Sequence, residues 1–324
     1  MHATQYYPVF WLIKISHILG IILFAYMPWF FFKAGMFFKT KTLHTTIIHS
    51  SKRLLVPWLI FGCFGLIIQS PIEIHLISNL TQWLQWASEI TVSEMALPGN
   101  PAMWFLSSLF FCHILIALLQ KLCRYWVYVS MIIGFFMAIF FLHFPPQLWN
   151  KTLLFPNIFM GLFFFACGYL FKTKQYTVAL FISSILLLII LSFFDTAELD
   201  VRINGGANCP ILSYILFYAR ALCAILIINY IASKLPEKYL SNSIISYIGR
   251  NSMGYYVLHM PIMLLCKIVL LHVPSISSET QCLIMLSVII VTLPIADILL
   301  RKYWPEALGL KRNKKRMSAA NELP

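Results

Sequence analysis

Nine apolar stretches, each about long enough to cross a lipid bilayer, divide this 324-residue chain, and its Lys and Arg collect in every second gap between them. A crossing takes about 20 mostly apolar residues. The stretches lie near 18–38, 54–70, 104–120, 125–143, 153–171, 176–194, 211–232, 252–271 and 281–300. Hydrocarbon gives an open strand's backbone no partner, so each stretch is predicted helical. The expected fold class is all-α, a polytopic transmembrane helical bundle of about nine spans. Composition agrees: 60% hydrophobic and 11% charged residues leave too little polar surface for a soluble domain.

Charge in the gaps sets the expected orientation. The segments 39–53, 121–124, 172–175, 233–251 and 301–324 hold eighteen of the 24 Lys and Arg, whereas the intervening segments hold only Lys14, Lys151 and Arg202. The positive-inside rule puts the first set in the cytoplasm. An odd number of spans then leaves the amino terminus external and the carboxyl terminus cytoplasmic. This asymmetry accounts for most of the net charge of +13, so no nucleic-acid partner is implied. The expected organisation is one integral membrane domain over 1–310, followed by a basic cytoplasmic tail over 311–324 that meets anionic lipid headgroups.

Residues 9–13 are too short an apolar run, and lack the basic start, for a cleavable signal peptide. The eight cysteines form no CxxC pair and read as small core residues. The long segment 71–103, with Glu73, Glu89, Glu94, Trp83 and Trp86 but no Lys or Arg, is expected to lie on the external membrane surface. No motif with metal-ligand spacing is present, and no metal is implied.

A few polar groups fall inside the apolar stretches. A charge at the middle of a span costs about 3 kcal/mol on insertion scales, which makes Arg220 a candidate for an anionic ligand or for a buried partner such as Asp200 or Glu198. Lys33 and Lys267 lie nearer span ends and can snorkel. His259 either packs through a hydrogen bond or lines a site. Trp104 and the Phe30–Phe32 run read as packing or interface anchors, with a binding platform as the alternative.

Four segments stand out in order: Met27-Pro28-Trp29-Phe30-Phe31-Phe32-Lys33-Ala34-Gly35, Lys52-Arg53-Leu54-Leu55-Val56-Pro57-Trp58, Met103-Trp104-Phe105-Leu106, and Ile248-Gly249-Arg250-Asn251-Ser252 running on to Tyr256, His259 and Pro261. Together they resemble the acyltransferase-three family of polytopic membrane acyltransferases, whose patterns are MPxFFFxSG, a basic pair before LLxPY, WFL at a span start, and IGxNSxxxYxxHxPI. Leu199-Asp200-Val201-Arg202 is similar to the family's external DxR segment.

The resemblance covers residues 2 to about 300. It implies an O-acyltransferase of a bacterial inner membrane, moving an acyl group, commonly acetyl, from acyl-coenzyme A to a hydroxyl of a surface polysaccharide or lipid-linked sugar. No bound cofactor is implied, because acyl-coenzyme A is the donor substrate. The basic residues Lys39, Lys41, Lys52, Arg53 and Arg250 then gain a second role beside orientation, capture of the donor's phosphates, for which Arg53 and Arg250 suit best. Asn251, His259, Trp104, Arg220 and Arg202 complete the candidate binding set.

Three departures accompany the resemblance. Ala34 replaces the usual serine, and Ser50 stands where the first arginine of an RxxR pair is usual. Family members carry ten spans, the first ending in a catalytic histidine; that pattern places the histidine at His2, with the expectation that the span before it is missing. The imidazole is the general base expected to take the hydroxyl proton. The alternative classes are a transporter of a small solute or glycan, disfavoured by the absence of an internal repeat, and an inactive truncated remnant.

Overall fold

The structure, a computed structural model, describes residues 24–73, 79–144, 147–148, 151–152, 155–193, 211–236, 244–273 and 276–310. Its helices are α1 (Tyr26–Met36), α2 (Leu43–Ser50), α3 (Val56–Glu73), α4 (Leu80–Glu94), α5 (Trp104–Leu122), α6 (Trp126–His143), α7 (Phe155–Leu170), α8 (Val178–Ser192), α9 (Ile211–Lys234), α10 (Ile244–Arg250), α11 (Ser252–Leu271) and α12 (Ser278–Tyr303). A minimal hairpin of β1 (Gln147–Leu148) and β2 (Lys151–Thr152) joins α6 to α7.

The helical membrane bundle expected from the sequence is what forms. Among the described residues, five helical stretches are long and apolar enough to cross a membrane: Leu43–Ser70, Pro101–Leu122, Ile211–Lys234, Ser252–Leu271 and Ser278–Tyr303. Three shorter apolar helices, Trp126–Phe141, Asn157–Thr173 and Val178–Ser192, bring the total to eight of the nine expected stretches. Of the first, 18–38, the described part is α1. The outer surface is what lipid requires: Ile189, Ile190, Ile290 and Val291 are exposed while Ser184 and Asp297 are buried.

Residues 43–55 depart from the sequence reading. The sequence places 43–53 in a gap between spans, yet 43–55 are helical throughout and run straight into α3. Thr42 caps α2, its side chain accepting from the Thr45 amide. Ser51–Leu55 then form a π turn, in which the Val56 amide reaches back five residues to the Ser51 carbonyl. Pro57 has no amide to offer the Arg53 carbonyl, so the regular ladder fails at this point and the helix widens instead. Two polar residues of α2 face inward: Thr46 and Ser50 are buried against α5, while Ile47 and Ile48 point out.

The bundle is tied together where backbones come close. α7 sits between α1 and α6, crossing α1 where Gly35 meets Phe165 and Gly168 meets Phe32. A side chain at either of these glycines would push the helices apart. The Phe164 ring stacks on Tyr218 at 5.3 Å, which adds α9 to the same core.

A second tie is the turn before α5. Gly99, at φ +80°, lets the chain pass against the backbone of Gly65. The buried Asn100 amide donates to the Phe61 and Val257 carbonyls at 3.3 and 3.1 Å. The Met95 carbonyl accepts from both the Trp58 indole and the Ser107 hydroxyl, at 2.9 and 2.7 Å. α3, α5 and α11 are thus clamped to one another. Two of them, α5 and α11, supply Leu109, His113 and Met253 to a cavity at the basic end of the bundle.

Candidate functional site

At this basic end, the end of α1 and the segments around α2, the π turn, α5, α10 and α12 surround a cavity of about 580 Å³. That is the size range of small-molecule sites. Its charged lining has one sign at the mouth: Lys39, Lys41, Arg53, Arg250 and Arg301 all border it, with His49 beside them. Its floor is made of Ser50, His113 and the apolar Phe38, Leu54 and Leu109. Arg53 and Arg250 are exposed, so their charges are open to an entering ligand.

The π turn places Arg53. By inserting an extra residue into the helical repeat it turns Ser50, Arg53 and Leu54 onto one wall. A later part of the chain then locks that turn in place. The Pro305–Leu308 turn docks on it with Ala307 and Leu308 buried, and Gly309 closes the turn at φ +67°. A Cβ at Gly309 would lie 2.5 Å from the Lys52 carbonyl oxygen and 2.7 Å from the Arg53 Cα, so only glycine fits.

The floor holds a polar pair. Ser50 Oγ and His113 Nδ1 are 2.8 Å apart. The His113 ring is bracketed by the Phe38 and Phe165 rings, at 5.7 and 5.5 Å. Lys172 donates to the Phe38 carbonyl at 2.8 Å, fixing the aromatic that covers the histidine.

An ion pair with a buried carboxylate stands at the α12 side. Arg301 Nε lies 2.9 Å from both oxygens of Asp297, one turn earlier on the same helix, and Arg301 Nη2 donates to the Asn251 carbonyl at 3.1 Å. Asp297 is fully buried, and Gly254 leaves the space its carboxylate occupies.

The structure therefore brings together four of the five basic residues expected to capture phosphate, Lys39, Lys41, Arg53 and Arg250, with Asn251 beside them through its backbone carbonyl. It does not gather the rest. Lys52 is exposed and contributes its carbonyl to the Gly309 contact rather than its ammonium to the cavity. Trp104 is buried among Phe31 and Phe105, at ring distances of 6.5 and 6.3 Å. His259 makes a local 2.6 Å contact with the Tyr256 carbonyl, and the Tyr256 hydroxyl donates to the Ala102 carbonyl. Arg220 sits on α9 with its guanidinium 5.4 Å from the Phe24 ring centre. His2 and Arg202 lie outside the described residues, as do Asp200, Glu198 and the tail.

Beside His49, three residues in or just behind the cavity wall are not singled out by the sequence: His113, Asp297 and Arg301. For the first two a signal existed, since an ionisable residue inside an apolar stretch is a site candidate by default. The four-residue spacing from Asp297 to Arg301 was also readable as a helical ion pair. Read by charge alone, Arg301 is only one more basic residue of the last gap.

Fold and site together define a polytopic helical membrane protein with a cation-rimmed cavity at one helix end. The chain belongs to the acyltransferase-three family: the family model described as an acyltransferase domain matches residues 1–301. No curated protein and no solved structure matches the chain.

Proposed function

We propose that this membrane acyltransferase takes its acyl group from acyl-coenzyme A bound at the basic cavity, and delivers it to a hydroxyl of a cell-surface polysaccharide or lipid-linked sugar. The observation that carries the reading is the convergence of Arg53, Arg250 and Arg301 around one cavity of about 580 Å³. A coenzyme A donor carries several phosphate charges, and guanidinium forks match phosphate oxygens bidentately. The donor is cytosolic, so the basic end of the bundle faces the cytoplasm of a bacterial cell and the bundle lies in the inner membrane. Lys and Arg bias supports the same orientation. The acyl group is acetyl, the common cargo of such donors.

The reaction needs a base. The acceptor hydroxyl attacks the thioester carbonyl, a C–O bond replaces the C–S bond, and the hydroxyl proton leaves to an imidazole while the thiolate departs. We assign that base to His2, on the family's pattern. Arg202 and the external segments meet the acceptor, and Arg220 supports an anionic group within the bundle.

Donor binding tests the reading directly. Arg53→Ala and Arg250→Ala should each weaken acyl-coenzyme A binding about ten- to hundredfold, the worth of a charge-assisted contact. Lys315→Ala, on the tail, should leave it unchanged. Wild-type affinity in both arginine variants would remove the cavity as the donor site.

A further inference from the structure

The Asp297–Arg301 pair is the most constrained charge on the cavity wall. Arg53 and Arg250 are exposed at its mouth, and no hydrogen bond or ion pair of theirs is seen among the described residues. Arg301 is different. Its Nε is held by both carboxylate oxygens of Asp297, and its Nη2 by the Asn251 carbonyl, so the guanidinium plane is fixed on two edges. Asp297 is itself immobilised: it is fully buried on α12, and its carboxylate fills the space that Gly254 leaves on α11.

This arrangement is costly unless it does something. A carboxylate buried in an apolar bundle loses its hydration, and the attraction to one arginine returns only part of that loss. Such a pair is therefore weak evidence for stability. A guanidinium fixed on two edges and bordering a cavity is, however, a preorganised binding group, because little rotamer freedom remains to be lost when an anion docks. Its remaining donors include the one terminal nitrogen that neither Asp297 nor Asn251 engages.

We propose that Arg301 is a third phosphate ligand of the donor site, a rigid one, which with the exposed Arg53 and Arg250 recognises the phosphorylated nucleotide portion of the donor rather than its pantetheine arm. This rests on the donor reading and narrows it. Arg53 and Arg250 supply long-range attraction at the rim; Arg301 supplies a fixed point against which the phosphate is registered. A lysine at 301 keeps the charge and loses both the fork and the double anchoring, so it does not substitute.

The test uses the full chain purified in detergent and measures competition of coenzyme A, 3′,5′-adenosine bisphosphate and pantetheine against a fluorescent acyl-coenzyme A analogue. Arg301→Lys and Arg301→Gln are compared with wild type and with Lys302→Ala, an exposed neighbour that does not border the cavity. The expected result is a loss of about ten- to hundredfold for coenzyme A and the bisphosphate in both Arg301 variants. Pantetheine competition should be unchanged, and Lys302→Ala should behave as wild type. A wild-type chain that binds neither phosphorylated ligand overturns the donor reading and this inference with it. A wild type that binds them, with Arg301 variants that bind equally well, overturns this inference alone. So does equal loss of all three ligands, which marks a merely structural arginine.

Discussion

Ser50 and His113, 63 residues apart in sequence, meet at 2.8 Å on the floor of the basic cavity. The contact joins α2 to α5 through polar atoms inside an otherwise aromatic wall, with Phe38 and Phe165 against the imidazole. Ser50 also takes the position where the family pattern carries an arginine. A neutral hydroxyl there keeps the floor uncharged and leaves the cations at the mouth.

Ser50→Ala removes a buried partner from His113 and should destabilise the protein by about 1–2 kcal/mol. Thermal unfolding of the purified chain in detergent reads this as a lowered Tm. An unchanged Tm would show that the ring is satisfied by another group.

The buried carboxylate gives a sharper stability test. Asp297→Asn replaces a charged acceptor with a neutral amide, and should cost about 1.5–3 kcal/mol in hydrogen bonds to the Arg301 guanidinium. Gly254→Ala should act at the same place from the other side, since its new methyl would occupy the carboxylate's space. The two changes should be far from additive when combined, because they disturb one contact. A double-variant Tm equal to the sum of the separate losses would argue that they act independently.

Donor affinity should fall with salt. The charges at the cavity mouth are exposed, and the screening length drops from about 30 Å at 0.01 M to about 3 Å at 1 M ionic strength. Titrations of acyl-coenzyme A at several NaCl concentrations should show a steep loss in wild type and a shallower one in Arg53→Ala. Parallel salt slopes would mean that Arg53 does not face the donor.

His2→Ala should abolish acyl transfer while donor binding stays at the wild-type level, because a general base acts on the acceptor proton and not on the phosphates. Full transfer without that imidazole would move the assignment to His259.

Orientation is open to a thiol-labelling experiment in intact cells. On a cysteine-free background, Ile90→Cys should react with an impermeant reagent, while Thr45→Cys and Leu240→Cys should not. Reaction at 45 with protection at 90 would invert the bundle and move the basic cavity away from the cytosol.

The spans were legible because apolar length is a local property, read residue by residue against the thickness of a bilayer. Arg53 and Arg250 were legible as a pair because each sits beside a recognisable motif. The wall between them was not. Leu43–Ser50 looks polar as a string, and its helical form depends on a cap at Thr42 and on burying Thr46 and Ser50 against a helix about sixty residues away. The π turn accords with Pro57, but which residues it re-aims depends on how the 305–309 turn docks. His113 carried a local warning as a polar residue in an apolar stretch. Its partner did not, since nothing near Ser50 in sequence names position 113.

The Gly309 contact has a consequence for how the molecule is made. The π turn is synthesised early, yet the surface that braces it, from Ala307 to Gly309, is synthesised more than 250 residues later. Chains grow from the amino terminus and their parts organise in that order. The first spans therefore enter the membrane with Arg53 unbraced. The wall around it can close only after α12 has been inserted and its end has folded back. A ribosome halted before residue 301 leaves a bundle with most of the described helices and no completed cation rim, so the capacity to hold an anion arrives only once the 305–309 turn has been made.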